Sequence, residues 1–120
     1  MKDIIDRIIA WNEERGLIDK GFDHHTEWKM LHEELEEFMI ATDEEWEQIN
    51  ALCDLIVLSV GAMAKMGIDP KCAMNETLKE IESRTGAVDP ETGKWMKDKD
   101  AVTYKPQYIE CVTGKRRQNE

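Results

Sequence analysis

The stretch LHEELEEF, Leu31–Phe38, decides the reading, together with ALCDLIVLSV, Ala51–Val60, which follows it after a short link. The first packs four glutamates, Glu33, Glu34, Glu36 and Glu37, into little more than one helical turn. At about 100° per residue, Glu33, Glu37 and Glu34 share an arc of roughly 100°, with Glu36 off its edge. Trp28, Leu31, Leu35, Phe38 and Met39 form an apolar stripe at helical spacing on the other side. The second stretch is apolar nearly all round and carries one charge, Asp54, in its middle. Such a helix is expected to be buried, where a carboxylate without a partner is costly. Asp54 therefore needs a proton or a positive partner, and the neighbouring glutamates cannot supply one. A hard divalent cation between the two helices can, since Mg2+ and its relatives prefer carboxylate oxygens and water.

Working outward, the chain of 120 residues is one domain's worth, 1–120, with a helical core over about 1–85 and an arm over about 86–120. With 41% hydrophobic and 35% charged residues it is a globular composition. Few Gly and Pro among many Glu, Lys, Met and Leu favour helix. Periodicity places a first helix from Met1 to about Arg15, ended by Gly16, and a connector from Gly16 to Asp23. A second helix, capped by Asp23 or Thr26, runs to about Ala41. A third starts with a capping-box pattern at Thr42 and continues to about Met66, where Gly67 ends it. Asp69-Pro70 starts a fourth, which Ala73, Thr77, Leu78 and Ile81 carry to about Arg84. The fold class expected is all-α: a four-helix bundle with a C-terminal irregular arm. The very short link at 41–43 makes the second and third helices antiparallel and brings Asp54 opposite the glutamates.

Net charge is −10, concentrated before Ala51. That excludes a nucleic-acid-backbone binder and disfavours an anionic membrane partner. The run from Ala51 to Ala64 is shorter than a bilayer span, and no signal-peptide pattern opens the chain. Cys53, Cys72 and Cys111 form no CxxC pair and read as reduced thiols of a cytoplasmic protein, without a disulfide or zinc framework. Glu-x-x-His, the mark of a di-iron bundle, is missing. His24, His25 and His32 read as capping or surface residues. After Gly86 the helical period is lost. Asp89-Pro90 and Thr92-Gly93 carry turn chemistry, among Lys94, Trp95, Lys97, Tyr104 and Lys105, as an ordered arm or lid. Gly114–Glu120 is polar and expected to fray. Four short helices, one of them very apolar, rarely close a core alone, so a homodimer or homotetramer is expected.

LHEELEEF matches the LxEExxE signature of the all-α nucleoside triphosphate pyrophosphohydrolases, the MazG and phosphoribosyl-ATP pyrophosphohydrolase superfamily. NALCD, Asn50–Asp54, resembles its second motif, an ExxD or DALAD. EIESRTGAVDPETGKWMKDKDAVTYKPQY looks like the arm of small phage and bacterial members. The resemblance covers the chain from about Trp11 to Tyr108. It departs at Ala51 and Asn50, which stand where acids would be, and at Glu82, where the arm motif has asparagine.

The resemblance implies Mg2+-dependent (or Mn2+-dependent) hydrolysis of a nucleoside triphosphate, a deoxynucleotide in particular, to monophosphate and pyrophosphate. Glu34, Glu37, Asn50 and Asp54 would hold the metal, and Glu47 could compensate for Asn50. Glu33 would orient or deprotonate water as the catalytic residue. Lys79, Arg84, Lys94, Lys97 and Lys105 would take the outer phosphates, and Trp95 and Tyr104 the base. Trp28 is expected in the core. The alternative is a non-catalytic helical regulatory or interaction module that kept the fold but lost full metal binding.

Overall fold

A computed structural model describes residues 2–114 and shows four long helices, one single-turn helix and a small hairpin. The expectation of frayed residues at 114–120 falls, apart from Gly114, outside the described residues. Helix α1 spans Ile4–Glu14, capped by the Asp3 carboxylate accepting from Asp6 N–H. The expected connector contains one further turn, α2, Leu17–Lys20, entered through Gly16 at φ 71°. Helix α3 spans His24–Ile40, and Asp23 is its cap: its carboxylate accepts from Thr26 N–H and from Thr26 Oγ1.

Helix α4 is Glu45–Lys65, so the capping box expected at Thr42 does not form: Glu44 stands at the cap without a side-chain bond. Gln48 closes the corner instead. Its Nε2 donates to the Ala41 carbonyl at 2.7 Å and to that of Thr42 at 3.1 Å, satisfying carbonyls left over where α3 ends. Helix α5, Pro70–Ser83, begins as expected at Asp69, whose carboxylate accepts from Lys71 N–H and Cys72 N–H.

The described arm is not wholly irregular. Strands β1 (Gly86–Val88) and β2 (Trp95–Lys97) pair antiparallel, with Gly86 opposite Lys97 and Val88 opposite Trp95. Gly86 opens this hairpin, where a Cβ would run into the Met96 carbonyl oxygen. A 3₁₀ turn at Tyr108–Cys111 then returns the chain to α5. It is fixed by the isolated pairing of Ile68 with Val112 and by Asp69 N–H donating to the Cys111 carbonyl. Cys72 and Cys111 are joined as a disulfide, which overturns the expectation of reduced thiols; Cys53 is free and exposed. The pairing spans 39 residues and depends on α5 meeting the 3₁₀ turn, a contact no local pattern announces.

The two main layers are α3 and α4, packed antiparallel, with α1 across α4. Gly61 permits that crossing: a Cβ there would meet Asn12 Nδ2 at 3.2 Å, and Asn12 is itself buried, donating to the Ile8 carbonyl. A buried ion pair also ties the layers, with Lys65 Nζ donating to Glu27 Oε1 at 2.6 Å. Removing one partner of a buried pair leaves the other uncompensated, so Glu27→Ala is expected to destabilise the fold by about 3 kcal/mol. Urea unfolding would show a lower midpoint at an unchanged slope.

The buried apolar side chains are few and mostly small: Ile8, Ala41, Ala51, Val60, Ala62, Ala73, Cys111 and Val112. Most of α4 lies open, contrary to the expectation of a buried helix, with Leu52, Val57 and Ile56 all exposed and Ile56 at 59%. Trp28 is not core either. It is 53% exposed, stacked between the rings of His25 and His32. The chain exposes 9302 Å², against about 6,700 Å² for a compact monomer of this size. Its radius of gyration is 17.1 Å, where about 14 Å is usual for 120 residues.

At 21 residues α4 is also longer than the apolar run within it, and by length and composition alone it could cross a membrane. It carries Asp54 at its middle.

Candidate metal centre

Glu34 stands on the face of α3 that meets α4, and the side chains of Glu37 and Asp54 act on it directly. Helical spacing explains the grouping. Glu34 and Glu37 are three residues apart, while Glu47, Asn50 and Asp54 fall within an arc of about 60° on α4.

The environment of Glu34 is hostile to its charge. Burial first, then hydrogen bonding to Glu37 and the negative charges of Asp54 and Glu37, push its carboxyl up to about 7. Its Oε2 is buried with no hydrogen-bond partner. Among the described residues no lysine or arginine forms an ion pair with Glu34, Glu37 or Asp54. An orphaned carboxylate oxygen beside two further carboxylates, at a helix–helix seam, is a donor set suited to a hard divalent cation. Side-chain adjustment is part of that fit, because no three acidic, histidine or cysteine side chains among the described residues already form a closed group.

The remaining predicted ligand, Asn50, is exposed, as is Glu33, the expected catalytic residue; Glu36, off the arc, is turned to His32, 3.6 Å away. Ala51 is 1% exposed, so the position where an ExxD motif has its glutamate is packed between helices. Glu47 is grouped with other acids: with Glu37 and Glu44 it borders a cleft of about 350 Å³ at the α3–α4 corner, which Asn50 does not line. Glu44 was not singled out in the sequence, since a glutamate just before a helix ordinarily reads as a solvated first-turn charge.

The residues expected at the phosphates and the base divide into two groups. Lys79 is paired with Glu76 at 2.8 Å and lies over the Tyr104 ring. Arg84 is paired with Glu80 at 2.6 Å, and the Tyr104 hydroxyl donates to Glu76. These three are committed inside the fold. Lys94, Lys97 and Lys105 are exposed, as is Trp95 on β2. None of those three lysines forms an ion pair among the described residues.

The raised Glu34 carboxyl has a measurable consequence. An acid whose folded value lies above its ordinary 4.5 favours the fold while protonated, and that contribution is lost as pH rises from about 4.5 through 7. The cation-free protein is therefore expected to lose thermal stability over that window. Mg2+ should restore it most strongly above pH 7, by on the order of 10 °C at a hundredfold excess over Kd. In Glu34→Gln both the slope and most of the Mg2+ shift should vanish in a melting series.

Antiparallel helices with an acidic seam and an unpartnered carboxylate oxygen define an all-α protein. The sequence pattern of the phosphoribosyl-ATP pyrophosphohydrolase family matches residues 12–82, more than half of the chain and the whole of this seam. The chain belongs to that family, within the MazG-like all-α pyrophosphohydrolase superfamily, and the family implies pyrophosphohydrolase activity on a nucleotide. No curated protein and no solved structure matches the chain.

Proposed function

We propose that the chain hydrolyses a nucleoside triphosphate, a deoxynucleotide by preference, between the α and β phosphates, using Mg2+ or Mn2+. The observation that carries this is the orphaned Glu34 oxygen beside Glu37 and Asp54 at the helix seam. Glu34, Glu37 and Asp54, with the Asn50 carbonyl, are the residues that would hold the cation. When bound, it neutralises phosphate oxygens and lowers the pKa of a water.

Glu33, exposed on the same arc of α3, accepts the proton of the attacking water. The water oxygen bonds to the α-phosphorus, the bond to the α–β bridging oxygen breaks, and pyrophosphate leaves with that electron pair. Lys94, Lys97 and Lys105 take the outer phosphates as point charges, and Trp95 offers its ring to the base. Lys79, Arg84 and Tyr104 carry less of this role than the sequence suggests, since each already has a partner in the fold.

We further propose a homodimer or homotetramer closed on the exposed face of α4. The excess of about 2,600 Å² over a compact monomer is of the size that an obligate interface covers. A second copy suits that face better than lipid, because a bilayer-centred α4 would place Asp54 in hydrocarbon.

The second reading, a non-catalytic helical module, is favoured by Ala51 and Asn50 and by the absence of a closed acidic group among the described residues. A panel of canonical and modified NTPs and dNTPs, with phosphoribosyl-ATP, assayed for pyrophosphate with Mg2+ or Mn2+, separates the two. Release from a deoxynucleoside triphosphate supports the proposed reaction. Release from phosphoribosyl-ATP alone changes the substrate. Release from none, with the protein folded, leaves the helical module.

A further inference from the structure

One face of α5 is an anchor for the arm. Cys72, Glu76, Lys79 and Ser83 recur at spacings of four, three and four, a single stripe along a helix. Every one of them meets the arm: Cys72 through the disulfide to Cys111, Lys79 over the Tyr104 ring, and Ser83 Oγ accepting from Tyr104 N–H at 2.8 Å.

Glu76 is the centre of the stripe and is buried. Its Oε1 accepts from the Tyr104 hydroxyl at 2.5 Å and from Gln107 N–H at 2.9 Å, while its Oε2 takes Lys79 at 2.8 Å. Those bonds hold its carboxyl down at about 2, with Lys79 first among the causes, so it is ionised throughout the working range. A buried carboxylate is tolerated only when its oxygens are satisfied, and two of the three donors here come from the arm. The hairpin bearing Lys94, Trp95 and Lys97 lies between these attachments. It packs on itself, with Thr85 and Asp98 bonded across its base. Its aim is therefore set where it is tied.

We infer that Glu76 is a positioning residue: by holding Tyr104 and Gln107 it fixes the direction of the hairpin whose cations meet the polyphosphate. This rests on the proposed function for the ligand and on the bonds above for the positioning. Burial alone would make Glu76 a stabilising residue whose removal weakens everything equally. Positioning makes a different claim, because its effect must pass through Lys94 and Lys97.

The test compares Glu76→Ala and Glu76→Gln with the wild-type protein, alone and combined with Lys94→Ala/Lys97→Ala. Hydrogen exchange across 86–103 and the affinity for an α,β-imido deoxynucleoside triphosphate with Mg2+ are measured in each. Glu76→Ala is expected to speed hairpin exchange at least about tenfold, leave α3 protected and weaken analogue binding about tenfold. In the Lys94/Lys97 background it should cost nothing further, the signature of coupled residues. Glu76→Gln, whose carbonyl can still accept from Tyr104 and Gln107, should recover most of both losses. Unchanged hairpin exchange overturns the inference. So does an undiminished affinity loss in the double-lysine background. A wild-type protein that binds no nucleotide strikes at the proposed reaction instead, and the exchange comparison then still decides whether Glu76 holds the hairpin.

Discussion

Asp54→Ala is expected to abolish pyrophosphate release, by at least about a thousandfold, while leaving helicity unchanged. The size follows from losing several kcal/mol of charge stabilisation, at about 1.4 kcal/mol per tenfold in rate. The second half of the prediction separates chemistry from folding. Asp54 is half-buried, forms no ion pair with a lysine or arginine among the described residues, and presses its charge on Glu34. Its removal relieves repulsion, so the Glu34 carboxyl should fall part of the way, with burial and Glu37 still holding it up. The cation-free variant should then melt no lower than wild type above pH 7. Glu37→Ala should likewise lose activity, being the other charge beside Glu34. Glu36→Ala is the control, since Glu36 lies off the arc and faces His32. Loss of activity at undiminished stability is what a ligand gives; a packing residue would lose both together.

The second large effect concerns the exposed face of α4. Ile56→Glu is expected to convert the assembly to single chains at micromolar concentration. Leu52, Ile56 and Val57 lie exposed in one chain, and burying such a side chain is worth about 1.5–3 kcal/mol. In a two-fold interface each substitution acts twice. A charge there thus costs several kcal/mol and raises the dissociation constant at least about a thousandfold. Light scattering should show one chain's mass for the variant and a multiple of it for wild type. A wild-type monomer would remove the interface from the account, and with it the explanation of the 9302 Å² of exposed surface.

What could be read from the residues was the part governed by local rules. Asp69-Pro70 marks the start of α5, Asp23 or Thr26 that of α3 (the structure takes Asp23), and Gly67 the end of α4, because caps and left-handed glycines act within a few residues. The facing of Asp54 and Glu34 followed from a short link between two helices. Thr42 misled because the capping box competes with other ways of closing a corner, and Gln48 offered a better one by bonding two carbonyls at once. Of the three residues assigned to phosphate or base and found paired, Lys79 and Arg84 share a cause. Glu76 and Glu80 sit three and four residues before their cations, and such spacing reads equally as an ion pair. Cys72–Cys111 and Glu76–Tyr104 were invisible, since each joins segments about 30–40 residues apart through the fold of the arm. The open face of α4 was legible only as apolarity; what covers it depends on assembly.

A cation between Glu34 and Asp54 is tested most directly by titrating Mn2+ into the wild-type protein and Asp54→Asn at pH 8, followed by electron paramagnetic resonance. The free Mn2+ signal should be quenched by wild type, and the amide variant, equal in shape but lacking the charge, should bind at least about tenfold more weakly. Equal uptake by both proteins would contradict this placement, because the cation would then not lie between Glu34 and Asp54.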